Sequence, residues 1–161
     1  MIIDSHVNLH APQFAEDQAE VIDRARAAGV SLMVTICDKV SVFDTVHAIA
    51  MTHPDIWCSV GTHPHEAKEN PLLTAKTLID LAGKGRVVGI GETGLDYFYD
   101  YSPRDVQQSV FRVHIEAARD TGLPLIQVDD PGEIIPGEPN LAGARCALDS
   151  LEIAVGLTRA G

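Results

Sequence analysis

The chain has 161 residues, which is enough for one domain with a real hydrophobic core. Hydrophobic residues make up 45% of the chain and charged residues 22%, so the composition argues against a disordered or fibrous protein. The net charge of −11 disfavours broad electrostatic binding to a nucleic-acid backbone. A nucleic-acid enzyme of this charge would need metal ions or a local cluster of donors to receive phosphates.

The sequence also bears on where the protein resides. No stretch approaches the ~20 apolar residues that a membrane helix needs. The segment Met1–His6 has no basic region, and its apolar run is too short for a signal peptide. Cys37, Cys58 and Cys146 are far apart and odd in number, which is typical of free thiols in a reducing compartment. We therefore expect a soluble, cytoplasmic protein that does not contact membranes.

Five short apolar runs are separated by four amphipathic stretches. The runs are rich in Val and Ile and are apolar on both faces, which is typical of strands buried in a parallel sheet. We expect each run to form one strand. In chain order the runs are Met1–Ser5, Ser31–Cys37, Ile56–Gly61, Arg86–Gly91 and Leu123–Val128.

The first amphipathic stretch predicts a helix after the first strand. Val21, Ala25 and Ala28 have the spacing of one helical face. Gly29 follows them and is expected to end the helix, because glycine readily adopts the left-handed conformation found there.

The second stretch predicts a helix with its own start signal. Ser41 and Asp44 have the spacing of a capping box, which satisfies backbone donors at a helix start. Pro54 is expected to end this helix. The side chains expected to point inward are Phe43, Val46 and Ala50.

The third and fourth stretches complete the alternation. Thr74 is expected to cap the third helix, which runs to about Gly83. The fourth helix is expected to begin with Ser102 as its cap and Pro103 in the first helical position, and to end at Gly122. Its apolar face is expected to consist of Val106, Val110, Val113 and Ala117.

The order βαβαβαβαβ indicates an α/β protein with right-handed crossovers, either an open doubly wound sheet or a barrel. A complete eight-stranded barrel takes about 250 residues. We therefore expect a partial TIM (β/α) barrel with five parallel strands and four helices, assigned to residues 1–128. Residues 129–161 are expected to form an atypical, irregular tail, because the alternation stops at a segment with Pro131, Pro136 and Pro139.

Polar side chains follow three of the predicted strands. His6 follows the first strand, His63 and His65 follow the third, and Glu92 follows the fourth. In α/β folds, ligands gather at the carboxyl ends of parallel strands. Histidines and a carboxylate that converge from three strand ends indicate a metal hydrolase site. We assign no role to the histidines in helical stretches, which are His47, His53 and His114.

A second motif competes with this interpretation. Gly89, Gly91 and Gly94 have the spacing GxGxxG of dinucleotide-binding loops. Such a loop must begin a helix, so that the helix N-terminus meets the pyrophosphate. Here the next helix begins only near Pro103, and no acidic residue ends a following strand about 20 positions on. We therefore reject a nicotinamide cofactor, which leaves a small-molecule binding domain without support.

An aromatic run follows the fourth strand. It consists of Tyr97, Phe98, Tyr99 and Tyr101. Such residues can pack a loop over a barrel mouth or stack the bases of a single strand. With no basic residues interleaved, we expect packing.

Together these segments resemble the TatD family of metal-dependent deoxyribonucleases. Family members begin with a strand that ends in Asp-Ser-His-x-His, and they carry Gly-x-His-Pro-His after the third strand and Gly-Glu-x-Gly-Leu-Asp after the fourth. The matching segments here are Asp4–Asn8, Gly61–His65 and Gly91–Asp96, and the likeness covers about residues 1–126. The resemblance implies a TIM barrel, two or more divalent ions (Mg²⁺, Mn²⁺ or Zn²⁺), and hydrolysis of phosphodiesters in DNA, often as a 3′-to-5′ exonuclease.

The resemblance also implies roles for particular residues. It implies metal ligation by His6, Asn8 and Glu92, and it places His63 and His65 near the scissile phosphate as donors to its oxygens. Asn8 stands where the family has a second histidine. Its amide oxygen suits Mg²⁺ or Mn²⁺ but is weaker than imidazole for Zn²⁺.

The likeness ends at the fifth strand. Gln127 stands near the place of a family histidine, and the later family ligands have no counterpart. We hypothesise that the sequence from Gln127 onward is read out of frame or replaced. The alternative to an active nuclease is therefore a catalytically impaired or inactive truncated fragment. We also expect self-association through exposed sheet edges.

Overall fold

The structure, a computed structural model, describes residues 1–128. These residues form one five-stranded sheet in the order β1-β2-β3-β4-β5, with every neighbouring pair parallel. The strands are β1 Ile2–Val7, β2 Val30–Thr35, β3 Ile56–Val60, β4 Val87–Gly94 and β5 Leu125–Val128. A strictly sequential order is that of a barrel, and the sheet curls into a half-barrel, so the predicted partial TIM barrel is confirmed.

A helix lies between each pair of consecutive strands in the chain. The helices are α1 Gln18–Ala27, α2 Phe43–Thr52, α3 Ala75–Ala82 and α4 Arg104–Thr121. Three short 3₁₀ helices lie in the connections, at Pro12–Phe14, Val40–Val42 and Pro64–Glu69. The last of these follows β3 directly and shapes one side of the site described below.

The core lies between the sheet and the helices. Strand residues that point outward from the barrel axis pack against the inward faces of the helices, as the predicted apolar faces require. Full burial of a large apolar side chain stabilises the fold by about 1.5–3 kcal/mol. Core members include Met33, Ile56, Cys58, Phe43, Val46 and Leu78.

One predicted helix start is confirmed and two are wrong. Thr74 caps α3 as predicted, since its side chain accepts a hydrogen bond from the backbone N–H of Thr77. The capping box at Ser41 was wrong, because a 3₁₀ turn precedes α2 and Val42 takes the cap position. The cap at Ser102 was also wrong, because Pro103 itself takes that position and the Ser102 hydroxyl bonds to other loops.

Two helix faces also differ in detail. In α1 the fully buried residue is Ile22, whereas Ala28 is exposed just past the helix end. In α4 the buried face carries two polar residues, Gln107 and His114, beside Val110 and Ala117. Val106 and Val113, placed by us on that face, are half-buried.

The strands that carry the predicted site are longer at their carboxyl ends than expected. Strand β1 continues to Val7 and β4 continues to Gly94, so His6 and Glu92 lie within strands. The glycines of the GxGxxG pattern lie in or at the end of β4, and no helix begins there. The motif therefore presents no helix N-terminus to a pyrophosphate.

The remaining expectations concern membranes, cysteines, the tail and self-association. In the described part of the chain, no helix is long and apolar enough to cross a membrane. Cys37 and Cys58 are free and buried, while Cys146 and the predicted irregular tail lie outside the described residues. The division at residue 128 and the self-association through sheet edges stay predictions.

Candidate active site

The carboxyl ends of β1 and β4 bring His6 and Glu92 together. The His6 Nε2 atom lies 3.2 Å from the Glu92 Oε2 atom, although 86 residues separate them in the sequence. The His6 side chain is 48% exposed, whereas the Glu92 side chain is only 11% exposed. The ring nitrogen and the carboxylate oxygen therefore meet at the mouth of the half-barrel, with the carboxylate deeper than the ring.

The carboxylate sets the electrostatics of this pair. The hydrogen bond to Glu92 raises the pKa of His6, although partial burial opposes the effect. The backbone N–H of Glu92 donates to the carbonyl oxygen of Cys37, which lies just beyond β2. Burial raises the pKa of the Cys37 thiol to about 11. The thiol is therefore protonated near neutral pH and adds no charge beneath the mouth.

His63 and His65 lie on the neighbouring loop after β3. Their rings meet edge to face with centroids 4.4 Å apart. The His63 Nδ1 atom accepts a hydrogen bond from the backbone N–H of His65, which fixes the proton of the neutral ring on Nε2. Burial lowers the pKa of His63, although the charge of Glu92 opposes the effect. His63 is thus a neutral ring with one free N–H donor.

His65 faces a carboxylate that we assigned no role. Its Nε2 atom is hydrogen-bonded to Asp96 Oδ2, in the loop that follows β4. Burial alone would raise the pKa of Asp96, but backbone N–H groups of Tyr99 and Phe98 and the His65 ring hold it below its ordinary value. Asp96 is therefore ionised, and the bond leaves Nδ1 as the free ring nitrogen of His65.

Helix α4 holds both of these loops. The buried Gln107 accepts from the Asp96 N–H at 2.8 Å and donates to the carbonyl oxygens of Asp96 and Ser102. Two turns further along the same face, His114 accepts from the Thr62 N–H at 2.9 Å. The sequence could have revealed this supporting role, because Gln107 and His114 stand at positions of the predicted apolar face of α4.

A third acidic position was missed altogether. Asp38 follows β2 closely, and its Oδ1 atom lies 3.1 Å from the Nε2 atom of His10. The hydrogen bond from His10 lowers the pKa of Asp38. The strand-end rule that found His6 and Glu92, applied to the second strand, would have found Asp38.

The aromatic run divides into two parts. Tyr97 is half-buried, with the Arg104 guanidinium 4.6 Å from its ring centroid and Gln108 bonded to its hydroxyl. The prediction that these aromatic side chains pack against the protein therefore holds for Tyr97. It is wrong for the other three, because Phe98, Tyr99 and Tyr101 are 66%, 57% and 55% exposed.

Comparison with known proteins identifies the family. The family model described as TatD related DNase matches residues 3–127. The chain belongs to this family. It is 35% identical over 127 residues to the uncharacterized metal-dependent hydrolase YabD of Bacillus subtilis, with 78% of this chain and 49% of that protein covered. It is 38% identical over 125 residues to a protein of Erwinia tasmaniensis named 3′-5′ ssDNA/RNA exonuclease TatD, with 77% and 48% covered.

Solved structures agree with this membership of the TatD family. The crystal structure of YJJV, a TatD homolog from Escherichia coli K12, aligns with a TM-score of 0.67 at 25% identity, over 78% of this chain and 49% of that one. An uncharacterized amidohydrolase from Saccharomyces cerevisiae aligns with a TM-score of 0.63 at 20% identity, over 72% and 43%, which shows the shared fold alone. The chain spans about half the length of the curated relatives that it matches.

The donors at the mouth fit a divalent ion in kind and in position. A ring nitrogen and a carboxylate oxygen 3.2 Å apart are both ligand types that Mn²⁺ and Zn²⁺ accept. Asn8, the third predicted ligand, is exposed just past β1, and its amide bonds to no other described residue. Within residues 1–128, no three His, Cys, Asp or Glu side chains form a group that could hold an ion. The described residues thus supply two converging ligands.

Proposed function

We propose that this TatD-family chain is a metal-dependent hydrolase that cleaves phosphodiester bonds of DNA. The observation that carries the proposal is the meeting of His6 and Glu92 at 3.2 Å, from strands at opposite sides of the half-barrel. His63 and His65 follow the strand next to β4 and supply nitrogen groups beside this pair. The curated relatives named as 3′-5′ ssDNA/RNA exonucleases support nucleic acid as the substrate.

The proposed division of labour follows from the chemistry of each side chain. His6 and Glu92 would hold the ion, with Asn8 as a neutral oxygen ligand at the rim. A bound divalent ion would supply polarisation of the phosphoryl oxygen and a source of hydroxide near neutral pH. Because the Glu92 carboxylate is nearly buried, solvent would only weakly screen its attraction for a bound ion.

The two histidines of the β3 loop would handle the phosphate differently. His63 has its Nε2–H free, so as a neutral ring it would donate a hydrogen bond to a phosphate oxygen. His65 gives its Nε2 to Asp96, so its neutral Nδ1 is an acceptor rather than a donor. We therefore refine the expectation of two equal donors. His65 would donate from Nδ1 to a phosphate only as an imidazolium.

The test combines ion binding with turnover. Calorimetric titration of the purified chain with Mn²⁺ measures binding without substrate, and an end-labelled DNA strand with added Mn²⁺ or Mg²⁺ measures cleavage. We expect Glu92→Ala to abolish ion binding and to lower cleavage by at least about 100-fold, because removal of a direct ligand costs more than removal of an outer partner. Glu116→Ala, which changes an exposed carboxylate of α4, is the matched control. Cleavage that survives Glu92→Ala would overturn the proposal.

A second candidate function is nucleic-acid binding without turnover. It is favoured by the two-ligand mouth within residues 1–128 and by the exposed amide of Asn8 where the family motif has histidine. The variant Asn8→His restores that motif and should tighten Zn²⁺ binding. Absence of cleavage in both the native chain and Asn8→His, with DNA binding retained, would establish the second candidate instead.

A further inference from the structure

The loop after β4 carries an exposed aromatic surface. We call Phe98, Tyr99 and Tyr101 the aromatic platform. The Tyr99 and Tyr101 rings are stacked, with centroids 5.3 Å apart and an interplanar angle of 22°, and the Phe98 ring meets Tyr99 edge to face at 4.8 Å. Three large rings that are more than half exposed form an apolar surface patch, and large patches of this kind are often binding sites.

The loop beneath the platform is held rigidly. The Asp96 Oδ1 atom accepts hydrogen bonds from the backbone N–H groups of Phe98 and Tyr99, both at 3.0 Å. At the other end of the loop, the Ser102 hydroxyl donates to the His65 carbonyl oxygen at 2.7 Å and accepts from the Lys68 N–H at 3.1 Å. A binding surface that is already ordered loses little conformational entropy when a ligand arrives.

The platform lies directly beside the phosphate-handling histidines of the proposed function. The His65 ring meets Tyr101 edge to face at 4.7 Å and Tyr99 at 5.7 Å. His65 in turn meets His63 at 4.4 Å. A planar group stacked on the tyrosines therefore lies next to a position from which a phosphate can reach both histidines.

Two cations flank the platform, although the net charge of the chain is strongly negative. Lys68 donates from Nζ to the Tyr101 carbonyl oxygen at 2.8 Å. Arg104 forms an ion pair with Asp100 and also donates to the Tyr97 carbonyl oxygen at 3.2 Å. Asp100 is thereby paired within the loop, whereas Lys68 forms no ion pair with a carboxylate of residues 1–128 and can attract a phosphate.

We propose that the aromatic platform stacks an unpaired base of a single-stranded nucleic acid, next to a phosphate that reaches His63 and His65. This subsite rests on the proposed hydrolase function and assigns particular residues to the single strand that the names of the curated relatives already give. Both faces of a base inside a duplex are covered by its neighbours, so only an unpaired or terminal base reaches the rings. Every base has a π face, so the subsite tolerates any sequence, and Lys68 attracts a flanking phosphate.

The sequence concealed this surface for two reasons. Lys68 lies 33 residues from Tyr101 along the chain, on the loop after β3, so it does not appear interleaved with the aromatics. Arg104 belongs to the first turn of α4 and reads as an ordinary helix residue. The folded loops bring both cations to the rings.

The test measures binding rather than cleavage. A fluorescently labelled single-stranded oligonucleotide is titrated with the full chain in EDTA, and anisotropy gives the dissociation constant. We expect the double variant Tyr99→Ala with Tyr101→Ala to bind at least about 5-fold more weakly, the lower end of what one base stacked on an aromatic ring contributes. The matched double variant Tyr99→Phe with Tyr101→Phe retains both rings and should bind like the native chain.

An abasic oligonucleotide provides the decisive comparison. Removal of the terminal bases should weaken binding to the native chain and have little effect on the alanine double variant, because that variant has no platform to lose. Equal loss in both proteins, equal binding by native and alanine chains, or native affinity for blunt duplex that matches the single strand would each overturn the proposal. A platform that binds only another protein would give the second of these results.

The platform and the hydrolase can fail separately. If Glu92→Ala leaves cleavage unchanged while the tyrosine variants bind weakly, the proposed active site is wrong and the base-stacking surface stands. If Glu92→Ala abolishes cleavage while the alanine double variant binds like the native chain, the hydrolase stands and the platform is wrong. Thermal unfolding of each variant, followed by circular dichroism, shows whether a loss of binding reflects a loss of folding.

Discussion

The buried His114 should make the fold sensitive to acid. Its ring is fully buried in α4, where Nε2 accepts from the Thr62 N–H at 2.9 Å and Nδ1 donates to the Val110 carbonyl oxygen at 2.8 Å. The bond from Thr62 requires the neutral ring, because an imidazolium would present an N–H to the Thr62 N–H, whereas the bond to Val110 survives protonation. Burial lowers the pKa of His114 from its ordinary value of 6.5 to about 4.

The size of the effect follows from that pKa. Between pH 6.5 and about 4 the unfolded chain binds a proton at this histidine and the folded chain does not, so acid favours unfolding. The loss of folding stability is absent above pH 6.5 and complete below about pH 4. At about 1.4 kcal/mol for each tenfold change in proton affinity, it reaches about 3 kcal/mol, a large part of a typical stability of about 5–15 kcal/mol.

Urea denaturation at a series of pH values measures this loss. The native chain should lose stability as the pH falls through the window, whereas His114→Gln should lose about 3 kcal/mol less over the same range. Glutamine offers an amide oxygen to Thr62 and does not titrate in this range. His47→Gln, on α2, is the control for the loss of any histidine. Equal pH dependence in native chain and His114→Gln would refute the assignment of acid sensitivity to this ring.

Two further substitutions test the packing that positions the site. Gly91→Ala should destabilise the chain by about 3 kcal/mol or more in urea denaturation, because the new Cβ would lie 2.3 Å from the Ile126 carbonyl oxygen, at a φ of 142°. Gln107→Ala should cost about 3 kcal/mol, because it leaves buried backbone groups of Asp96 and Ser102 without partners. Amide hydrogen exchange should show faster exchange at the Asp96 N–H in the same variant.

Matched substitutions show whether these effects are local. Gly85 also has a positive φ, of 80°, but a Cβ there meets nothing within 4 Å, so Gly85→Ala should cost only about 1–2 kcal/mol. Gln108→Ala removes a bond to the Tyr97 hydroxyl and a long, exposed bond from Arg112, and it should cost about 1 kcal/mol. If Gly91→Ala matched Gly85→Ala in stability, close approach of β4 and β5 would not be the reason for the glycine.

The sequence predicted the fold well because strands and helices each leave a local pattern of apolar residues. Apolar runs of strand length alternate with helical stretches, and this alternation permits few topologies. The errors concern atoms that only the tertiary structure brings together. Ser102 reads as a helix cap because it precedes Pro103, but its hydroxyl bonds to the loop after β3. Ser41 reads as a cap, but a 3₁₀ turn occupies the start of α2.

The position of the candidate site was predictable in part for the same reason, while the roles of its residues stay predictions. The strand-end rule found His6, Glu92, His63 and His65, since residues at the carboxyl ends of parallel strands share one edge. It could not show that Asp96 faces His65, because that contact depends on the path of a loop. The exposure of the aromatic rings was likewise hidden, because exposure is a property of the folded surface.

Helix α4 is the common support of two loops that arise from different strands. Gln107 holds the loop after β4, and seven positions later His114 holds the loop after β3. A designer who wished to transplant the histidine pair and its aromatic neighbours onto another barrel would therefore have to carry this helix with them. Loops grafted without it would keep their sequence and lose their mutual orientation.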